Sequence, residues 1–384
     1  MREEHPDINT TATTSISHLN HFNTLHKSLQ IQQFIENSFK HSKCPSTPQL
    51  TATPKAPADA RPTALQIVQD EGLVGNLSGI SVFITGANQG VGLETARAFH
   101  ATGATVFLGV RDHAKGQQAI EDIQAADPAN KAPLHSVEMS LDSFDSVRKG
   151  AKALLDQTKK LNILVLNAGV MYTPEGRTAD GFETQFGINH LGHFLLFQLL
   201  KPALLAATTP LFNSRVVCVA SMGHRAGEVR FHDFNFDEPG SYDPWVSYGQ
   251  SKTANIYMVN EIEKRYGNQG LHALSLHPGG VLTNLHRYIV DPEIVSIMSR
   301  DEGLKRRIKS PAQGAATTLY AALSKEWEGR GGRYLYDCHE AGPADPNSGT
   351  MSTDNGYAPW AYDEEKAAKL WVESCKMIGV EADD

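Results

Sequence analysis

Ser81-Val82-Phe83-Ile84-Thr85-Gly86-Ala87-Asn88-Gln89-Gly90-Val91-Gly92-Leu93-Glu94-Thr95 decides the architecture of this chain. A short β-branched and apolar run enters a turn with three glycines. Ala96 and Phe99 then continue at helical spacing toward a second apolar run through Leu108. Glycine allows the tight turn and lets backbone N–H groups approach a pyrophosphate at the positive end of the following helix. Strand, turn and helix in that order predict a dinucleotide site, with Gly86, Gln89, Gly90, Val91 and Gly92 around the pyrophosphate. The spacing G-x-x-x-G-x-G separates this turn from the G-x-G-x-x-G of other dinucleotide binders.

From about residue 78 onward, apolar runs alternate with amphipathic stretches of helical length, the pattern of βαβ units. Candidate strands are Ser81–Thr85, Thr105–Val110, Leu134–Met139, Asn162–Leu166, Arg215–Ala220, Leu271–Leu276 and Gly332–Cys338. They lack clean in-out alternation, as strands covered on both faces do. The expected fold is therefore α/β, a single doubly wound Rossmann-type parallel sheet of about seven strands with helices on both faces. Two stretches exceed what such a domain needs, His224–Val246 and Asn284–Ser310.

Residues 1–62 read differently. Thr, Ser, Asn, Gln, His and Pro dominate, which predicts a disordered low-complexity tail ahead of a catalytic domain over 63–384. Within it, Leu25, Leu29, Phe34, Ile35 and Phe39 recur at near-helical spacing and suggest a transient helix. The 384-residue chain carries a net charge of −8. Residues 1–62 hold six basic and five acidic side chains, so −9 falls on the remainder. That balance argues against nucleic acid as a partner. Apolar runs such as Ile163–Leu166 and Phe194–Leu200 are too short for a transmembrane span. The four cysteines show no metal-ligand spacing, so no metal site is expected. The start, Met-Arg-Glu-Glu-His, has no signal-peptide character, and a cytoplasmic location is the expectation.

At the end of the second predicted strand, Leu108-Gly109-Val110-Arg111-Asp112 puts Val110 where an acid would accept from the adenosine ribose of NAD. Arg111 stands where a guanidinium could fork onto a 2′-phosphate, which favours NADP(H) over NAD(H). The competing assignment takes Asp112 as the ribose ligand. Further along, Ser247-Tyr248-Gly249-Gln250-Ser251-Lys252 opens a helix, and four residues bring Tyr248 and Lys252 to one face. A phenol of ordinary pKa ~10 becomes an effective acid or base near neutrality only beside a cation. Ser221 closes the strand Val216–Ala220, Asn167-Ala168-Gly169 closes another, and His277-Pro278-Gly279-Gly280-Val281-Leu282-Thr283 follows a third. All should emerge at the carboxyl edge of the sheet, where open α/β folds bind ligands.

These motifs resemble the short-chain dehydrogenase/reductase family: T-G-x-x-x-G-x-G at Thr85–Gly92, N-A-G at Asn167–Gly169, Y-x-x-x-K at Tyr248–Lys252 and P-G-x-x-x-T at Pro278–Thr283. The resemblance spans about residues 78–340. It implies an NAD(P)(H)-dependent enzyme in which Tyr248 is the general acid/base, Ser221 binds the substrate oxygen, and Lys252 lowers the Tyr248 pKa and holds the nicotinamide ribose. It further implies that Asn189 supports a proton-relay water, that Asn167, Ala168, Gly169, Pro278, Gly279 and Val281 line the cofactor, and that Thr283 contacts the carboxamide.

Phe231-His232-Asp233-Phe234-Asn235-Phe236, Asp180-Gly181-Phe182-Glu183 and Ser310-Pro311-Ala312-Gln313-Gly314-Ala315 resemble the retinol dehydrogenase-like and WW-domain oxidoreductase-like branch. No WW domain or membrane anchor is expected here. Ser140 occupies the usual place of an aspartate near adenine. The two long segments carry Phe231, Phe234, Phe236, Tyr242 and Trp245, and Leu285, Tyr288, Ile289, Ile294 and Met298. Their apolar bulk suggests a lipophilic or polycyclic alcohol or carbonyl substrate of the kind made in secondary metabolism. The alternative for these side chains is packing of the insertions onto the domain. The family resemblance also implies a homodimer or tetramer. A reading from another class is a catalytically silent NADP(H)-binding sensor or scaffold.

Overall fold

The computed structural model describes residues 59–290, 306–345 and 356–382. The tail through residue 58, with its suggested helix, and Ile294 and Met298 lie outside the described residues. The sheet takes the order β3-β2-β1-β4-β5-β6-β7-β8. Its strands are β1 (Ser81–Thr85), β2 (Thr105–Val110), β3 (Leu134–Glu138), β4 (Ile163–Leu166), β5 (Ser214–Val219), β6 (Leu271–His277), β7 (Arg333–Tyr336) and β8 (His339–Glu340). Seven strands run parallel, and β8 is antiparallel to β7.

This gives one strand more than the sequence suggested. The predicted seventh strand stops at Tyr336 because Asp337 and Cys338 take φ of 45° and 58°, a two-residue left-handed turn that no strand can carry. Two residues then pair back along the edge, Leu335 with Glu340 and Tyr336 with His339.

Alternating strand residues feed two cores. Val82, Ile84, Val106 and Leu108 pack toward α1 (Ala64–Asp70), α2 (Gly90–Ala101), α3 (His113–Ala126) and α7 (Ala316–Leu323). Phe83, Phe107, Leu164 and Leu166 face α4 (Phe144–Gln157), α5 (Gly192–Leu205), α6 (Pro244–Tyr266) and α8 (Glu364–Ile378). Burial on both faces is the physical reason the strands read as continuous apolar runs. No described helix is long and apolar enough to cross a membrane.

Strand order reverses between β1 and β4, so the loops after those strands diverge and leave a crevice at the carboxyl edge. The packing begins upstream of the boundary read from sequence. Arg61 is buried, and its guanidinium donates to the carbonyls of Arg307 and Ile308, each at 2.8 Å.

Candidate active site

A cleft of about 650 Å³ occupies the crevice, walled by the segments after β1, β2, β4, β5 and β6. On one side the glycine turn is built almost wholly from backbone. Gly86 and Gly90 have φ of +67° and +57°. A Cβ on Gly92 would lie 2.3 Å from the Gly86 carbonyl oxygen and 2.5 Å from Asn167 Nδ2, so only glycine fits. Asn167 and Ala168 brace this turn: their N–H groups donate to Thr85 Oγ1 at 2.9 and 3.0 Å, and Asn167 Nδ2 donates to the Thr85 carbonyl at 2.8 Å.

Most longer helices start on a side-chain cap, as at Thr63, Asp112, Ser143, Asp243 and Asp363. Helix α2 starts at Gln89 without a side-chain cap, which leaves its first N–H groups for an anion. An uncapped helix start beside a cradle that a Cβ would fill fits a dinucleotide pyrophosphate.

Arg111 is exposed at the cleft rim just past β2. Val110 is an apolar, buried side chain at that strand end. The Asp112 carboxylate accepts from Lys115 N at 3.2 Å and so caps α3. Sequence reasoning passed over two charged groups on this wall. Lys115 lines the cleft one helical turn beyond Arg111. Asp142 also lines it and accepts the Ser140 hydroxyl at 2.6 Å. A carboxylate two residues past the usual aspartate position is invisible to a motif that inspects only position 140.

Across the cleft, α6 presents Tyr248 and Lys252, 3% and 4% exposed. Ser221, just past β5, accepts from Gly223 N at 3.0 Å, and its hydroxyl engages the Tyr248 phenol. The phenol ring lies flat on Gly223, where a Cβ would stand 2.7 Å from Tyr248 Cε1. Lys252 Nζ donates to the Val219 carbonyl at 2.8 Å and sits 5.7 Å from the Tyr248 ring centroid. Burial pushes the Tyr248 phenol up to about 12, partly offset by Ser221. The same loss of water brings the Lys252 ammonium down to about 8.

Asn189 sits in a π-turn (Gly187–Leu191) that leads into α5. Its Oδ1 accepts from Val170 N at 2.8 Å, and its Nδ2 donates to the Val170 carbonyl and to Ser251 Oγ, both at 2.9 Å. Both ends of the amide are thus committed to protein, tying the loop after β4 to α6. His193, which the sequence reading overlooked, links the two sides. Its Nδ1 donates to the Asn189 carbonyl at 2.9 Å, which leaves Nε2 to accept from Thr85 Oγ1 at 2.9 Å. Burial brings this imidazole down to about 4, so it stays neutral.

Pro278, Gly279 and Val281 line the cleft beyond β6. Thr283 Oγ1 accepts from Leu285 N at 3.3 Å, and its methyl would lie 3.1 Å from a Cβ on Gly90, so this loop closes against the glycine turn. Aromatic bulk distributes differently from the first expectation. Phe231 and Phe234 pack on the core, Phe234 at 5.5 Å from Phe186, and Phe236 is buried against Tyr242. None of these lines the cleft. Near Tyr248 the apolar neighbours are Met171, Tyr172, Trp245, Leu285 and Ile289.

The family model described as short chain dehydrogenase matches residues 81–293. The short-chain dehydrogenase/reductase prx1 of Penicillium roqueforti is 49% identical over 324 residues, 84% of this chain and 92% of the relative. Human retinol dehydrogenase 14 is 37% identical over 317 residues, 80% and 88% of the two chains. A crystal structure of a protein from Mycobacterium paratuberculosis superposes with a TM-score of 0.59 at 33% identity, covering 80% of this chain and 96% of that one. The chain belongs to the short-chain dehydrogenase/reductase family. Within it, the chain falls in the retinol dehydrogenase-like branch, and it is an alcohol/carbonyl oxidoreductase that takes a nicotinamide dinucleotide.

Proposed function

We propose that the chain is an NADP(H)-dependent reductase of lipophilic carbonyl compounds, with Ser221, Tyr248 and Lys252 as its chemical group and Asn189 as the residue that positions them. Tyr248 carries the reading. Its phenol is buried at the carboxyl edge of the sheet, engaged by Ser221 and backed by the Lys252 ammonium, at the wall of a dinucleotide-sized cleft. Gly86, Gln89, Gly90, Val91 and Gly92 hold the pyrophosphate. Asn167, Ala168 and Gly169 back the cofactor, Pro278, Gly279, Val281 and Thr283 face its carboxamide end, and Tyr248 and Lys252 hold the nicotinamide ribose. Arg111 takes the 2′-phosphate with Lys115 as second cation, since Val110 is apolar and Asp112 is engaged as a helix cap. Asp142, oriented by Ser140, takes the part of the missing aspartate at the adenine edge.

When bound, the nicotinamide supplies a hydride to the carbonyl carbon. Ser221 Oγ donates to the carbonyl oxygen and polarises it. Tyr248 Oη then gives its proton to that oxygen as the alcohol forms. A phenol pushed up to about 12 holds its proton throughout the physiological range, so the site stands as an acid and favours reduction. The Lys252 charge stabilises the phenolate left behind. Met171, Leu285, Ile289 and Trp245 supply an apolar flank that excludes water from the proton transfer. The catalytic domain takes in residues 63–384, in the cytoplasm.

Hydride transfer from NADPH and NADH should be recorded across retinals, steroid ketones, aryl ketones and saturated aldehydes. Turnover of apolar carbonyls, faster with NADPH, is expected. NADPH binding with no turnover of any carbonyl or alcohol would leave the silent sensor in its place.

A further inference from the structure

We infer that the buried Lys309–Asp337 ion pair is a positioning element for the nicotinamide end of the site, a role that rests on the cofactor reading above. Lys309 is 5% exposed and lies outside the motifs, just ahead of the helix-capping Ser310. Its ammonium pairs with the Asp337 carboxylate and donates to the Pro278 carbonyl at 3.3 Å. Its backbone N–H donates to the Gly280 carbonyl at 2.8 Å, and Lys309 bridges Val281 as a short parallel ladder. The Lys309 stem also fills the space beside Gly279, where φ is +94° and a Cβ would stand 2.8 Å from Lys309 Cδ. One side chain thus grips three consecutive residues of the cleft wall.

The partner is held in place at a conformational cost. Asp337 and Cys338 are the two left-handed residues of the β7–β8 turn, and Cys338 occupies a position that glycine ordinarily takes. Non-glycine residues in this region persist only where the surroundings over-determine them. Here Cys338 is buried, with its N–H donating to Thr317 Oγ1 at 3.3 Å. The turn aims Asp337 inward at Lys309. Tyr336 completes the layer: Lys309 Nζ lies 5.5 Å from its ring centroid, and His277, the last residue before Pro278, stacks on it at 5.6 Å and 13°. An antiparallel two-residue strand at the sheet edge therefore supports the Pro278–Thr283 segment through a buried charge pair.

The test separates the two ends of the cofactor. Lys309→Met, Asp337→Asn and the double variant are titrated with NADPH and with adenosine 2′,5′-bisphosphate, which occupies only the adenine end. The double variant leaves no uncompensated buried charge and guards against loss of folding. The expected result is about tenfold weaker NADPH binding, the equivalent of one well-made buried hydrogen bond, with the bisphosphate affinity unchanged. Unchanged affinity for both ligands, or parallel weakening of both, in the folded double variant would overturn the positioning role. Wild-type protein that bound neither ligand would instead refute the NADP(H) reading itself.

Discussion

The two walls of the cleft are made in different ways. The wall after β1 and β4 is backbone: three glycines, two of them left-handed, and a threonine hydroxyl that takes two N–H groups. The wall after β5 and β6 is side chain: Tyr248 laid on Gly223, Lys252 anchored on Val219, and Lys309 clasped to Asp337. A wall of fixed N–H groups recognises what every dinucleotide shares. A wall of buried titratable groups performs a particular reaction, because burial sets where their protons sit. Binding and chemistry should accordingly separate under mutation.

The sharpest test of that separation is Tyr248→Phe. Loss of the proton donor should lower kcat by about 10²–10⁴, the usual worth of a positioned acid. NADPH affinity by fluorescence titration should change less than about threefold, because the glycine wall is untouched. Equal losses in both would mean that the two walls act as one unit.

Arg111→Ala addresses the opposite wall. A charge-assisted contact to a 2′-phosphate contributes about 1.5–3 kcal/mol, so the NADPH-to-NADH ratio of kcat/KM should fall by about 10- to 100-fold with kcat itself nearly constant. An unchanged ratio would return Asp112 to consideration as the ribose ligand, despite its capping bond to Lys115 N.

A pH profile probes the chemical wall more gently. Reduction needs Tyr248 protonated and Lys252 charged. The phenol, at about 12, keeps its proton to high pH, whereas the amine, brought down to about 8, loses its charge as pH rises through that value. The rate of reduction should therefore be level near neutrality and fall severalfold above about pH 8. Lys252→Arg, whose guanidinium stays charged, should move that limb upward even at reduced kcat. A limb that stayed at the same pH in the variant would assign it to another group.

The backbone wall was legible in the sequence because glycine spacing is a direct record of φ and of close approach. The strand ends that carry Ser221, Tyr248, Lys252 and Asn189 were legible for a similar reason, since each closes or opens a recognisable element. The edge strand was not, because Asp337 and Cys338 take a left-handed turn without glycine or asparagine to announce it. Asp142, His193 and Lys309 were missed because their partners are fixed only by tertiary packing: Ser140 for Asp142, Thr85 and Asn189 for His193, Pro278 and Asp337 for Lys309. The phenylalanine-rich insertion misled in the other direction. Composition there records apolar bulk, and it cannot say whether that bulk faces a ligand or the core.

Phe234→Leu and Trp245→Leu turn that last ambiguity into the mildest prediction. Phe234 stacks near Phe186 at 5.5 Å and meets Phe231 edge-on at 5.7 Å, away from the cleft. Its truncation should cost about 1 kcal/mol of stability, the order expected for an aromatic pair beyond area burial, and leave kcat/KM unchanged. Trp245 packs beside Tyr172 at 4.9 Å in the cluster around Tyr248. Its truncation should raise KM for bulky apolar carbonyls severalfold and leave small aldehydes unaffected, with a smaller change in melting temperature. If Phe234→Leu also shifted KM selectively for the bulky substrates, the insertion would belong to the chemical wall after all, and substrate recognition would extend from the cleft onto the face covered by Phe231 and Phe234.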